Sequence, residues 1–111
     1  MKKAVLSIDL EDWYHLDYIS QKKSNFSMLD GFEIILGETI DKEIPLSIFC
    51  VTEILPQVKI IFDQIDSNYK DKIDIGFHGI DHTRPLLQSS NKFRSVVSDG
   101  KKIVEDFFGK E

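Results

Sequence analysis

Residues 4–12, Ala-Val-Leu-Ser-Ile-Asp-Leu-Glu-Asp, form a short apolar run that ends abruptly in three carboxylates. The apolar part, residues 4–8, is rich in strand-forming side chains and predicts a buried strand, most simply one in a parallel sheet. Asp9, Glu11 and Asp12 would then follow the C-terminal end of that strand, where α/β folds usually carry out their chemistry. The rest of the chain decides whether such a sheet forms.

Helical patterns alternate with further strands along the chain. After a polar stretch at residues 17–28, expected to be a loop, a first helix is predicted, with Asp30 as its N-cap. Residues 46–51 predict a second buried strand after Pro45, and Thr52 is the expected N-cap of a helix ending near residue 65. The apolar faces of these two helices are Phe32, Ile35, Leu36 and Ile40 in the first, and Val58, Ile61, Phe62 and Ile65 in the second.

The last third of the chain adds one more strand and one more helix. Residues 72–77 predict a third strand that ends at His78. The spacing of apolar residues from Phe93 to Phe107 predicts an amphipathic helix, interrupted by Gly100 and stopped by Gly109. The order β-α-β-α-β-α predicts a single α/β domain with about three parallel strands and right-handed crossover helices.

Two groups of polar residues fall at the expected C-terminal ends of strands. The first is the acidic group after residue 8, which in an arbitrary protein is often only a solvated loop. The second is His78-Gly79-Ile80-Asp81-His82, whose histidines can bind one metal if they lie on a helical turn, and are otherwise two unrelated surface residues. The first and third strands of a parallel unit can bring both groups to one rim. Two imidazoles and a carboxylate then favour a catalytic metal site with open positions.

The same residues resemble a known family. Ser7-Ile8-Asp9-Leu10-Glu11-Asp12-Trp13-Tyr14-His15 is similar to the first motif of the polysaccharide deacetylases of carbohydrate esterase family 4, in the branch with an Asp-x-Glu-Asp motif. Residues 75–82, Ile-Gly-Phe-His-Gly-Ile-Asp-His, resemble the second motif of that family. The resemblance covers nearly the whole chain.

The resemblance implies a role for each matching residue. Asp9 corresponds to the general base, and His78 and His82 correspond to ligands of a divalent metal, expected to be zinc. The carboxylate ligand is either Glu11, which a continuing strand would place on the same face as Asp9, or Asp12, if the chain turns after Asp9. The neighbouring aromatic residues, Trp13 and Tyr14, either stack on a sugar ring or pack the mouth of the sheet.

The implied activity is metal-dependent removal of N-acetyl groups from an N-acetylated sugar or polysaccharide. The implied fold is a partial (β/α) barrel, with residues 1–111 as one deacetylase domain truncated before the C-terminal motifs of the family. His15 is a weak substitute for the acid that those motifs supply. The alternatives are a metal-binding but inactive fragment, and a small interaction domain whose acids and histidines never meet. A separate C-terminal half, or self-association through an open sheet edge, would complete the fold.

Net charge, cysteine content and the length of apolar runs limit the classes of partner and the cellular location that we expect. With 14 Lys and Arg against 19 Asp and Glu, the net charge of −5 disfavours nucleic acid, whose binding requires phosphate neutralisation. The single cysteine, Cys50, excludes an internal disulfide and is expected to be a buried small apolar residue. The apolar start is too short for a signal peptide, and no apolar run approaches the roughly 18 residues of a membrane span. The sequence therefore predicts a cytoplasmic protein without a membrane partner.

Overall fold

A computed structural model describes residues 2–15 and 27–109 of the chain. Most of the loop predicted at residues 17–28 lies outside the described residues. Short 3₁₀ turns at Trp13–His15, Thr52–Ile54 and Pro85–Leu87 separate the main elements. The strands are β1 (Leu6–Leu10), β2 (Leu46–Cys50) and β3 (Ile73–Phe77), and the helices are α1 (Leu29–Asp41), α2 (Leu55–Asp63), α3 (Ser67–Lys70) and α4 (Ser90–Phe108).

The three strands form one parallel sheet in the order β1-β2-β3. Leu10 aligns with Cys50 and Cys50 with Phe77, so the three strands end at the same level. The predicted α/β class, with three parallel strands joined by helices, is confirmed. Each crossover moves to the next strand in the same direction, so the right-handed rule places the helices on one face of the sheet.

The burial pattern agrees with helices on one face. In β2, the side chains of Leu46, Ile48 and Cys50 are at most 2% exposed and belong to a core shared with α1, α2 and α4. The intervening Phe49 points to the opposite face and remains 40% exposed. A Cβ at its neighbour Gly76 would lie 2.7 Å from the Phe49 ring, so glycine leaves room for that ring. The sheet therefore has one packed face and one open face.

The prediction of a buried first strand is wrong for most of its length. The strand begins at Leu6 and extends to Leu10, and only Leu10 is buried. Val5 is 86% exposed and precedes the strand. β1 is at the edge of the sheet, so it has a strand neighbour on one side only. Apolar composition identified the strand but not its edge position.

Two predicted helix caps are also wrong. Asp30 lies inside the first turn of α1, and Met28 occupies the N-cap position. Thr52 begins a 3₁₀ turn, so that α2 itself starts three residues later, at Leu55. The predicted apolar face of α2 is confirmed, whereas Ile35 of α1 is 47% exposed. At the start of α1, the side chain of Ser27 rather than Asp30 caps the first turn, since its Oγ accepts the N–H of Leu29 at 3.2 Å.

Gly100 does not interrupt α4, which is continuous and is closed at Gly109 by a left-handed residue with φ 65°. Gly100 is buried, and a Cβ there would lie 2.2 Å from the ring of Phe77. The glycine thus allows the helix to pack closely against the end of β3. Among the described residues, no helix is long and apolar enough to cross a membrane.

Candidate metal centre

The C-terminal ends of β1 and β3 bring together Glu11, His78 and His82. One ligand atom from each of the three side chains lies within 4.8 Å of the others. Glu11 Oε2 is 2.9 Å from His82 Nε2 and 3.9 Å from His78 Nε2. Ligand atoms about 2.0–2.1 Å from a tetrahedral zinc ion lie about 3.3 Å apart, so these separations bracket the expected value.

The two histidines reach this point without the helical turn that their spacing suggested. His78 continues the β3 ladder by donating its N–H to Cys50 O at 2.8 Å. Gly79, with φ 106°, and His82, with φ 63°, then reverse the chain. A left-handed residue other than glycine costs about 1–2 kcal/mol, so surrounding contacts must hold His82 in place.

The 3₁₀ turn after β2 supplies some of those contacts. The backbone N–H of Thr52 donates to Gly79 O at 2.9 Å, and the N–H of Glu53 donates to Ile80 O at 3.1 Å. The loop between the two histidines is therefore attached to the middle strand of the sheet. Because Thr52 and Glu53 make these bonds to the histidine loop, α2 begins only after them, at Leu55.

Two atoms of the cluster lack the hydrogen bonds that buried polar atoms normally make. Among the described residues, Glu11 Oε2 and His82 Nδ1 are buried without a hydrogen-bond partner. The 2.9 Å contact between Glu11 and His82 is an ion pair by distance but lacks the alignment of a hydrogen bond. A buried carboxylate oxygen without a donor is costly, and a cation would offset that cost. The donor set therefore fits a divalent metal.

Asp9 lies beside the three-residue cluster. Its Oδ2 is 3.9 Å from His78 Nε2, and its side chain is 62% exposed, compared with 17% for Glu11. Asp9 aligns with Phe49 on the open face of the sheet. The structure thus places one solvent-accessible carboxylate next to a partly enclosed one.

Asp12, the alternative carboxylate ligand, lies in a different network. It is 7% exposed and accepts hydrogen bonds from Met28 N at 3.0 Å and from Ser27 Oγ at 2.6 Å. These contacts bind the carboxylate to the N-terminal end of α1, where a negative charge is favourable. The metal-ligand group among the described residues contains Glu11 and not Asp12.

His15 belongs to the same network as Asp12. Its Nδ1 accepts the backbone N–H of Asp12 at 2.9 Å, which leaves the proton on Nε2 to be donated to Glu53 Oε2, also at 2.9 Å. The imidazole is 5% exposed. Since both ring nitrogens are hydrogen-bonded and the ring is buried, His15 is a poor substitute for a catalytic acid.

Of the two aromatic residues, Tyr14 is 42% exposed, and its ring lies against that of His15 with centroids 4.3 Å apart. Partial burial raises the pKa of Tyr14, and the nearby Glu53 and Asp12 carboxylates raise it further. The tyrosine is thus packed on one side and accessible on the other, which fits either of its expected roles. The side chain of Trp13 lies outside the described part of the chain.

Sequence reasoning missed a cavity next to the histidines. It has a volume of about 380 Å³ and lies between the loop after β3 and α4, with His78 and His82 in its wall. Most of the remaining wall is apolar, but Gln88 also contributes, and its Oε1 is buried without a partner among the described residues. Nothing in the sequence around Gln88 indicates this position.

Comparisons with known proteins found no matching family model, no similar curated protein and no similar solved structure. The two motifs and the geometry they adopt are therefore the features of this chain that point to a function.

Proposed function

We propose that the chain carries the metal centre of a metal-dependent hydrolase that removes N-acetyl groups from an N-acetylated sugar or polysaccharide. The observation that carries the proposal is the convergence of Glu11, His78 and His82, with Asp9 beside them. These residues come from the two motifs that resemble the polysaccharide deacetylases. A parallel sheet with its helices on one face is also compatible with the wall of a (β/α) barrel, the fold implied by that resemblance.

Glu11, His78 and His82 would hold the ion, which we expect to be zinc. When bound, it would polarise the amide carbonyl and lower the pKa of a water molecule. Two imidazoles and one carboxylate leave coordination positions open, as in catalytic rather than structural zinc sites. Glu11 Oε2 is buried and, among the described residues, accepts no hydrogen bond. Glu11 is therefore better suited to binding a cation than to exchanging protons with solvent.

Asp9 would act as the general base. Hydrolysis of an acetamido group consumes one water and yields acetate and a free amine, so a proton must leave the attacking water. Asp9 has the accessible carboxylate, and Oδ2 is the oxygen nearer to the histidines. Its place on the open face of the sheet leaves room for a bulky carbohydrate. General bases of this kind contribute roughly 10²–10⁴-fold to the rate.

A metal-binding protein without turnover is the second candidate function. The observation that favours it is the state of His15, the one residue suggested as an acid. With both ring nitrogens in hydrogen bonds and the ring 5% exposed, it is poorly placed to protonate a leaving amine. In this second case the same three ligands would bind the ion, but N-acetylated sugars would not be hydrolysed.

The test combines metal content with acetate release from N-acetylglucosamine oligomers. The wild type is compared with Asp9→Asn and with Asp74→Asn, which alters an exposed carboxylate in β3. We expect wild type and Asp74→Asn to bind zinc and release acetate, and Asp9→Asn to bind zinc with a rate at least about 100-fold lower. Zinc binding without acetate release in the wild type would favour the second candidate. A folded wild type without zinc would contradict both.

A further inference from the structure

At the candidate metal centre, the ring nitrogen of His82 that faces away from Glu11 has no hydrogen-bond partner among the described residues. Nε2 faces Glu11, whereas Nδ1 is buried and has no hydrogen-bond partner among the described residues. A histidine that binds a metal through one nitrogen almost always donates the N–H of the other to an acceptor. That bond fixes the tautomer and the orientation of the ring. His82 needs such a constraint because its backbone is in the left-handed region, with φ 63°.

Gln88 offers an acceptor on the wall of the same cavity. It follows the 3₁₀ turn Pro85–Leu87, and its backbone N–H donates to Pro85 O at 3.0 Å, which holds this end of the loop. Its Oε1 is buried and, among the described residues, also lacks a partner. His82 and Gln88 both line the cavity of about 380 Å³ between the histidine loop and α4. One buried donor site and one buried acceptor therefore border the same cavity.

We propose that Gln88 is a positioning residue for His82, whose Nδ1–H donates a hydrogen bond to Gln88 Oε1. The inference rests on the proposed metal centre, since it assigns His82 Nε2 to the ion. The pairing satisfies two polar atoms that are otherwise buried without partners. It also leaves Nε2 unprotonated and available to an ion that Glu11 would bind as well. Apolar residues on the α4 side, such as Phe93 and Val96, line the rest of the cavity and offer no competing acceptor for the Nδ1–H.

The first test measures zinc affinity by competition with a chelator. Gln88→Leu removes the acceptor while keeping a similar volume, and Gln88→Glu restores an acceptor oxygen. Gln57→Leu, an exposed glutamine in α2, is the matched control. We expect Gln88→Leu to weaken zinc binding about 10- to 100-fold, and the other two variants to bind like the wild type. Equal affinity in Gln88→Leu and wild type would overturn the proposal.

The second test does not need metal and separates this inference from the proposed function. The chain has 3 histidines, so ¹⁵N NMR of the ring nitrogens can be assigned with single substitutions. In the metal-free protein, the Glu11 carboxylate, 2.9 Å from Nε2, competes with Gln88 for the ring proton of His82. At a pH where the imidazole is neutral, we therefore expect a larger fraction of the Nδ1–H tautomer in the wild type than in Gln88→Leu. The same tautomer fraction in both proteins would overturn the role of Gln88, whether or not zinc binds.

Discussion

Replacing each of the two candidate carboxylate ligands should separate metal binding from stability. Asp12→Ala should destabilise the protein while leaving the zinc site intact. Glu11→Ala should abolish zinc binding while making the metal-free protein slightly more stable than the wild type. The two residues are neighbours in the sequence and both are acidic, yet their side chains make different contacts. The expected effects are therefore opposite in kind.

The magnitudes follow from those contacts. Asp12 accepts hydrogen bonds from Met28 N and Ser27 Oγ, and bonds to a charged group contribute about 1.5–3 kcal/mol each. Because both bonds are only partly buried, we take the lower end and expect a loss of about 3 kcal/mol. Glu11 Oε2 is buried without a hydrogen-bond donor among the described residues, so removing this carboxylate should raise the metal-free free energy of unfolding, by about 1 kcal/mol.

Urea unfolding in the presence of a chelator measures the stability of each variant without a contribution from metal. Zinc affinity is then measured separately, at a temperature where both variants are folded. Loss of zinc binding in folded Asp12→Ala, or wild-type zinc affinity in Glu11→Ala, would contradict this division of roles. Either result would assign the ligand to Asp12 and require the first motif to turn directly after Asp9.

Three further predictions concern packing. Gly100→Ala should lower the free energy of unfolding by about 1–2 kcal/mol, because the new Cβ would lie 2.2 Å from the Phe77 ring. This cost outweighs the better helix propensity of alanine. Urea unfolding should show a smaller cost for Gly100→Ala when Phe77 is also replaced by leucine. By the same assay Gly76→Ala should cost less, because the Phe49 ring that it meets is 40% exposed and can move into solvent. Burial raises the pKa of the Cys50 thiol to about 12. A thiol reagent at neutral pH should therefore modify Cys50 in urea but not in the folded protein. Rapid modification of Cys50 in the folded protein would contradict its burial.

Strand positions and the order of elements could be predicted because they depend on local apolar pattern. The run at residues 46–51 is almost wholly apolar, and it forms the central strand of the sheet. The same reasoning failed for β1, because apolar composition does not distinguish a central strand from an edge strand. It also failed at Gly100, where helix propensity counts against glycine but close packing with Phe77 requires it.

The site could be predicted only as a set of residue types. Strand ends brought Glu11 and the histidines to one rim, as the parallel arrangement implied. Their geometry depends on contacts that no local pattern indicates, above all the docking of the histidine loop on Thr52 and Glu53. The separate role of Asp12 likewise depends on Ser27 and Met28, which are distant in sequence.

The proposed function depends on the binding of one divalent metal ion by Glu11, His78 and His82. Elemental analysis of the purified protein tests this binding, with wild type, His78→Ala and His82→Ala prepared side by side. The proposed site predicts about one zinc per chain in the wild type and none in either variant, with all three proteins folded. A folded wild type without metal, or a full equivalent of zinc retained in both variants, would contradict it.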